Sequence, residues 1–318
     1  VSLIGGASLG PEKALGSMDG GAGTWIGQRR NLSREDSQVC TLSGFGGAYG
    51  GLFSSTVIVV MFILELARPG GRRFAKTLAT DIVASSVSFG IYLATVGAVF
   101  LYAYQVPQYA FEDWQLLAGA PLGLFAVSRR VLLLMVVVRA TTRLFELLKL
   151  PGLVRPILGG VVFGAIGVAL PLTMFTGSDQ LKTALDDAGT MSVGLLIALV
   201  IAKQCTFAVS QASGFVGGPI FPALFIGGTA GILVHAVLPG VPLGLAFTCM
   251  LAAVPGSLVA APFTMVLLAA FLTQVGALQT APILIAVVTA FLVMEGMKYL
   301  VAQGKRAHGA AGERATPN

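Results

Sequence analysis

Long apolar runs, cut by short charged loops, set the pattern of this chain. A helix needs about 20 apolar residues to cross a bilayer, and six stretches meet that need: 76–104, 116–138, 155–175, 190–209, 220–238 and 281–301. Two further apolar stretches do not fit the template. Residues 38–66 are interrupted by Gly44-Phe-Gly-Gly-Ala-Tyr-Gly-Gly51, and residues 243–276 carry Pro255 and Pro262, which predict breaks. Broken helices at membrane depth are tolerated where protein buries them or where they line a cavity. Period-two alternation in ten-residue segments, the mark of a membrane β-barrel, is absent from these runs. The pattern predicts an all-α polytopic membrane protein, a bundle of tilted and broken helices.

The charged loops add an orientation. Arg68, Arg72, Arg73 and Lys76 outweigh Glu65, and Arg139, Arg143, Lys149 and Arg155 outweigh Glu146. Glu112 and Asp113 have no nearby base, and Asp179, Asp186 and Asp187 outweigh Lys182. Basic loops stay in the cytoplasm, which places 68–76 and 139–156 there. The segment 303–318 holds Lys305, Arg306 and Arg314 against Glu313 and reads as a basic cytoplasmic tail without order.

Composition narrows the class. Only 11% of the 318 residues are charged and 55% are hydrophobic, against about 25% charged in a soluble domain. A water-soluble globular protein and an intrinsically disordered one are both excluded. The 41 glycines follow no collagen period and suit close helix packing in a membrane. The net charge of +6 is accounted for by loops on one side of a membrane and predicts no nucleic-acid partner. Cys40, Cys205 and Cys249 form no Cys-x-x-Cys pair, so neither a disulfide framework nor a metal site is expected, and no cofactor is. The chain opens on Val1 inside a Gly-rich segment, which reads as an N-terminally incomplete protein.

Two glycine-rich segments carry the candidate chemistry. The first is Gly6-Ala-Ser-Leu-Gly-Pro-Glu12, holding Ser8, Leu9, Gly10, Pro11 and Glu12. The second is Ser213-Gly-Phe-Val-Gly-Gly-Pro-Ile-Phe-Pro222, holding Gly217, Gly218, Pro219, Ile220, Phe221 and Pro222. Each leads from bare glycine backbone through a proline into a helical pattern. Proline suits the first helical turn, where its missing N–H costs nothing. The result is a helix N-terminus with free donors at membrane depth, an anion site without a full positive charge. Such binding is weak enough to release what it holds.

These residues resemble the CLC family of chloride channels and proton-coupled chloride transporters. Gly214–Gly231 is similar to the family's Gly-x-Phe-x-Pro segment, and residues 6–12 to its Gly-Lys/Arg-Glu-Gly-Pro segment. Phe62-Ile-Leu-Glu-Leu-Ala-Arg-Pro69 resembles the end of the helix before a cytoplasmic loop. Ala261-Pro-Phe-Thr-Met-Val resembles the start of a late interfacial helix. The four occur in the family's order over about residues 5–300. The resemblance implies an inverted-repeat bundle, with the later part of the first half-repeat at about 1–104 and the second half-repeat at about 114–302, together a transmembrane domain over 1–302. It also implies a multi-pass protein of the cell membrane, a homodimer in a lipid bilayer, and chloride or a similar small anion as the passenger. The family's earlier Gly-Ser-Gly-Ile-Pro segment is absent.

The departures from the family set the expected mechanism. Leu9 stands where the family has a gating Glu, and Leu66 follows Glu65 where coupled members have a second Glu. The resemblance therefore implies passive conduction, with proton-coupled antiport as the alternative. Pro219 stands where a residue usually donates its N–H to the anion, leaving Ile220 and Phe221. Tyr299 is either a family-like anion ligand or an interfacial anchor. Glu12, one turn after Leu9, is either a displaced gate carboxylate, a first-turn residue of its own helix, or the partner of Lys13. Glu65 reads as an i,i+3 partner of Arg68, and Gly44–Gly51 as a packing and dimer-contact feature. An intramembrane hydrolase is the competing class. It would need Ser8 with His235, or Asp19 with Asp81, and neither pair has its expected motif context.

Overall fold

The computed structural model describes residues 2, 4–97, 100–127, 132–147, 149, 151 and 154–314, with side chains described for all of these but 132–135 and 304–314. Thirteen α-helices occur among the described residues, and the one β feature is an isolated bridge between Gly10 and Gly218. Among the described residues, four helices are long and apolar enough to cross a membrane: α4 (Arg72–Thr95), α9 (Val193–Ala212), α10 (Ile220–Val237) and α13, of which Thr280–Gln303 qualifies.

The first layer is built on glycine. α1 (Glu12–Arg29) packs on α2 (Arg34–Leu52), which packs in turn on α4. α2 runs unbroken through Gly44–Gly51, where the sequence predicted an interruption. A Cβ at Gly44 would strike the Asp19 main-chain carbonyl, and one at Gly23 the Cys40 carbonyl. Helix contact at backbone distance offsets the helical cost of glycine here. Ser33 caps α2 by accepting the Asp36 N–H at 3.1 Å. The short α3 (Thr56–Ala67) returns to the basic loop, and Arg73–Glu35 and Lys76–Asp36 ion pairs tie α4 to the start of α2.

The expected span 76–104 ends early, at Thr95, before Gly97 at φ +92°. Residues 100–113 then run as a strap without regular secondary structure, turning at Tyr102. The Tyr102 and Tyr104 N–H groups donate to the Phe271 and Leu272 carbonyls of α12 (Pro262–Thr273). Residues 98 and 99 lie outside the described residues, as do 128–131 within the expected span 116–138. That second span holds two helices, α5 (Trp114–Phe125) and α6 (Leu132–Leu147). α7 (Val154–Ala169) stops before Pro171, short of the expected 175. α8 (Ser178–Asp186) follows it.

α10 lies at the centre of the second group. Every residue from Ile220 to Val234 is buried, packed between α9 and α11 (Leu243–Leu258). Pro255 does not break α11 as predicted. It falls within the last turn, and the chain stays helical past it, with the Val259 N–H donating to the Pro255 carbonyl. Pro262 does open a new helix, α12. α13 (Thr280–Arg314) continues through most of the segment expected to be an unordered tail, which is rich in Ala, Lys and Arg, all strong helix formers. Residues 315–318 lie outside the described residues.

Candidate functional site

The two glycine-rich segments meet. Gly10 and Gly218 exchange both main-chain hydrogen bonds at 2.8 Å, in an antiparallel bridge. No side chain fits this approach. A Cβ at Gly217 would strike Leu9, and a Cβ at Gly10 or Gly218 would strike the Glu12 carboxylate. The bridge aligns the first turns of α1 and α10. Pro11 precedes Glu12 and Pro219 precedes Ile220, each as the helix N-cap residue.

Glu12 occupies the junction. The residue is only 4% exposed, and Oε1 accepts the Ile220 N–H at 2.7 Å. Oε2 has no hydrogen-bond partner among the described residues. Tyr49 Oη donates to the Glu12 main-chain carbonyl at 3.1 Å, anchoring the helix start to α2. Lys13 is exposed, and Glu12 forms no ion pair among the described residues. Pro219 and Pro222 have no N–H, and Ala223 N–H already bonds to the Pro219 carbonyl. Ile220 and Phe221 are thus the donors of the α10 terminus that have no intrahelical partner, and the Glu12 carboxylate accepts the first of them. The terminus favours negative charge through its donors and its dipole.

The other predicted residues fall around this centre. Ser8 is buried, its N–H donating to Ser210 Oγ at 3.2 Å, and Leu9 packs into an apolar cluster with Ala7, Phe163, Phe207 and Val209. Phe221 stacks on Phe53, with ring centroids 6.4 Å apart. Phe221 and Pro11 border a cavity of about 330 Å³ that also meets Thr176, Asp179 and Lys182. Tyr299 is not brought to the junction. It is 64% exposed on α13. His235 sits at the far end of α10 from Ile220, with Nδ1 2.7 Å from the Val241 carbonyl, so Ser8 and His235 do not form a hydrolytic pair.

Glu65 is placed differently from its expected ion pair. Arg68 Nε donates to the Glu65 main-chain carbonyl, while the carboxylate accepts the N–H groups of Phe263 at 2.9 Å and Thr264 at 2.8 Å, together with Thr264 Oγ1. The start of α12 offers three donors, two main-chain N–H groups without an intrahelical partner and one hydroxyl, and the Glu65 carboxylate accepts all three, which an i,i+3 pair with Arg68 would leave unmet. Two helix N-termini of the second group are thus each met by a glutamate from the first. Glu65→Ala should cost about 1–2 kcal/mol of stability, the usual loss for a helix cap, read as a lowered thermal midpoint in detergent, with Glu65→Gln intermediate.

Lys203 was not singled out from the sequence. It is fully buried on α9, and Nζ donates to the carbonyls of Thr173 (3.0 Å), Met174 (3.2 Å) and Phe175 (2.9 Å). The ammonium also lies 5.0 Å from the Phe225 ring centroid on α10. Phe175 N–H in turn donates to the Gly6 carbonyl, so the corner that Lys203 holds also supports the strap leading to Gly10. The available signal was a single cation in an otherwise uncharged 20-residue helix.

The family model described as voltage gated chloride channel matches residues 1–295. YfeO of Salmonella newport (strain SL254), a protein named for ion transport, is 29% identical over 262 residues, covering 78% of this chain and 60% of the relative. Its Escherichia coli counterpart (strain 55989 / EAEC) is 26% identical over 257 residues, with 78% and 59% covered. The chain thus spans about 60% of the length of these curated relatives. Among solved structures, a slow cyanobacterial Cl⁻/H⁺ antiporter superposes with a TM-score of 0.75 at 18% identity, covering 93% of this chain and 70% of that one. A CLC-type fluoride/proton antiporter gives 0.75 at 18% identity, with 92% and 71% covered. The fold is that of the CLC transporters.

Proposed function

Because the chain belongs to the voltage gated chloride channel family, we propose that it forms an anion-transporting pathway gated by Glu12. One observation carries this reading: the Glu12 carboxylate takes the Ile220 N–H at 2.7 Å, in the position an arriving anion needs. Carboxylate and anion then compete for the amides of that helix terminus, of which the carboxylate holds that of Ile220. A proton that neutralises Glu12 weakens its hold on them and frees them for chloride or a similar small anion. Proton-linked exchange follows from that competition, and the two structural neighbours named as proton antiporters agree with it. Leu9 does not remove an acid from the site, because Glu12 brings one from the next turn. Leu66 favours the second reading, passive conduction, since no acid follows Glu65 on α3.

The basic loop at 68–76 faces the cytoplasm in this proposal, and the cavity bordered by Pro11 and Phe221 opens to the opposite side. The protein is a multi-pass protein of the cell membrane and pairs as a homodimer. Proteoliposomes with an imposed chloride gradient test the mechanism, with proton movement recorded alongside. Wild type should drive protons uphill, and Glu12→Gln should lose that movement and the pH dependence of anion flux. Glu12→Ala should bind the anion roughly ten- to a hundredfold more tightly, because a charge-assisted bond of about 1.5–3 kcal/mol no longer competes. Chloride flux without proton movement in wild type would return passive conduction. Identical pH dependence in wild type and Glu12→Gln would remove Glu12 from the gate.

A further inference from the structure

The structure holds a second buried acid that the site above does not use. Asp81 lies on α4, fully buried, with neither carboxylate oxygen hydrogen-bonded among the described residues. It stands nine residues into α4 from Arg72, about 14 Å along the helix axis at 1.5 Å per residue, which is bilayer depth. We propose that Asp81 is a proton-binding site at membrane depth, reached from the basic end of the protein through Thr77.

The surroundings select the ligand. Asp81 faces α2 at Gly46, whose Cβ position lies 3.1 Å from Oδ1, and Gly50 meets the Ser85 backbone one turn on. Glycines offer no side-chain donor, and the helical N–H groups there are already engaged. Ser85 spends its hydroxyl on the Asp81 main-chain carbonyl. The charged and titratable groups on the packed elements are committed elsewhere. Glu35 pairs with Arg73, Asp36 with Lys76, Tyr49 bonds to the Glu12 backbone, and Glu65 of α3 caps α12. Arg34 and Arg72 stand exposed at the helix starts, and Cys40 packs its backbone against Gly23. None of them reaches Asp81. A bare carboxylate so placed lacks both counter-charge and donor. A metal ion would need further oxygen ligands, and no cluster of three His, Cys, Asp or Glu exists among the described residues. A proton needs only the carboxylate, and it turns one oxygen into a donor for a helix carbonyl.

Access comes from one end. A cavity of about 420 Å³ is bounded by Gln38, Arg68, Arg73 and Thr77. Thr77 is one turn from Asp81, fully buried, and its hydroxyl is also without a partner among the described residues. A hydroxyl accepts and donates at once, so Thr77 forms the step between cavity water and the carboxylate. On the other side, α2 carries Gly46 against Asp81 and, one turn later, Tyr49 against Glu12. Asp81 therefore lies between the basic cavity and the gate. A role in supplying Glu12 rests on the proton-linked reading above, whereas the ability of Asp81 to hold a proton does not.

Dicyclohexylcarbodiimide tests the site on the full chain in detergent. The reagent adds to a protonated carboxyl: the oxygen bonds to the carbodiimide carbon, the proton moves to nitrogen, and acyl migration leaves an N-acylurea with nothing released. Mass spectrometry should place the adduct on the peptide containing Asp81. Labelling should fall as pH rises and slow at least tenfold in Thr77→Val. Recovery of that peptide without an adduct at any pH, or labelling indifferent to pH, overturns the proposal, and wild-type protein alone decides this even if variants fold poorly. In proteoliposomes, Asp81→Asn should lower protons moved per anion at least tenfold, with Asp81→Glu restoring them. An unchanged ratio in Asp81→Asn removes Asp81 from the supply of Glu12. No proton movement in wild type, together with a labelled Asp81, overturns the antiport reading and leaves the proton site standing.

Discussion

Lys203→Met should leave the protein about 2–4 kcal/mol less stable, seen as a lower thermal midpoint in detergent and faster proteolysis near residues 173–177. Methionine keeps the length and apolar stem of lysine but donates nothing. The carbonyls of Met174 and Phe175 lose the donor that satisfies them, while Thr173 keeps a bond from Thr206 at 3.4 Å. A buried carbonyl left unsatisfied costs about 1–3 kcal/mol. Removing a buried ammonium from an apolar setting returns part of that sum, so the net loss is smaller than three charged hydrogen bonds. An unchanged midpoint would mean that the ammonium is not what fixes this corner.

Gly44→Val should be at least as damaging, with a loss of about 3 kcal/mol or more and poor recovery of folded protein. The atoms it meets are the main-chain carbonyl of Asp19 and the Cα of Gly20. Backbone cannot rotate away as a side-chain tip can, so α1 must move off α2 and carry Glu12 with it. Gly47 on the same helix supplies the control, because nothing lies within 4 Å of its Cβ position. Gly47→Ala should be neutral or stabilise by up to about 1 kcal/mol, since alanine is the better helix former. Equal effects at the two positions would mean that α1 and α2 do not pack through Gly44.

The helices legible in the sequence are those whose hydrophobicity does the assembling. The expected 220–238 and 190–209 correspond to Ile220–Val237 and Val193–Ala212 within a few residues. α1 and α2 were not legible as membrane spans, because their contact surface is glycine, which raises neither hydropathy nor helix propensity. Pro255 misled for a related reason. A proline signals a break by itself, and its position in the last turn is set by where α11 packs. At the site, both segments and the prolines that open their helices were readable, as were Ile220 and Phe221 as the remaining donors. The partners of the two glutamates were not. Glu12 and Ile220 are 208 residues apart, and Glu65 and Thr264 are 199 apart. Local spacing offered Lys13 and Arg68 instead, and neither side-chain ion pair forms.

The separation of Glu12 from Ile220 also sets an order in time. At about 5–20 residues per second, a ribosome needs roughly 10–40 s to pass from one to the other. Throughout that interval Gly10 has no Gly218 to pair with, and the carboxylate has none of the α10 amides. α1 to α4 can be threaded and packed through their glycines in the meantime, but the junction itself does not yet exist. The two-residue bridge is thus a late seam. A nascent chain stalled anywhere before residue 218 has an open acid at Glu12, and the junction closes when α10 arrives.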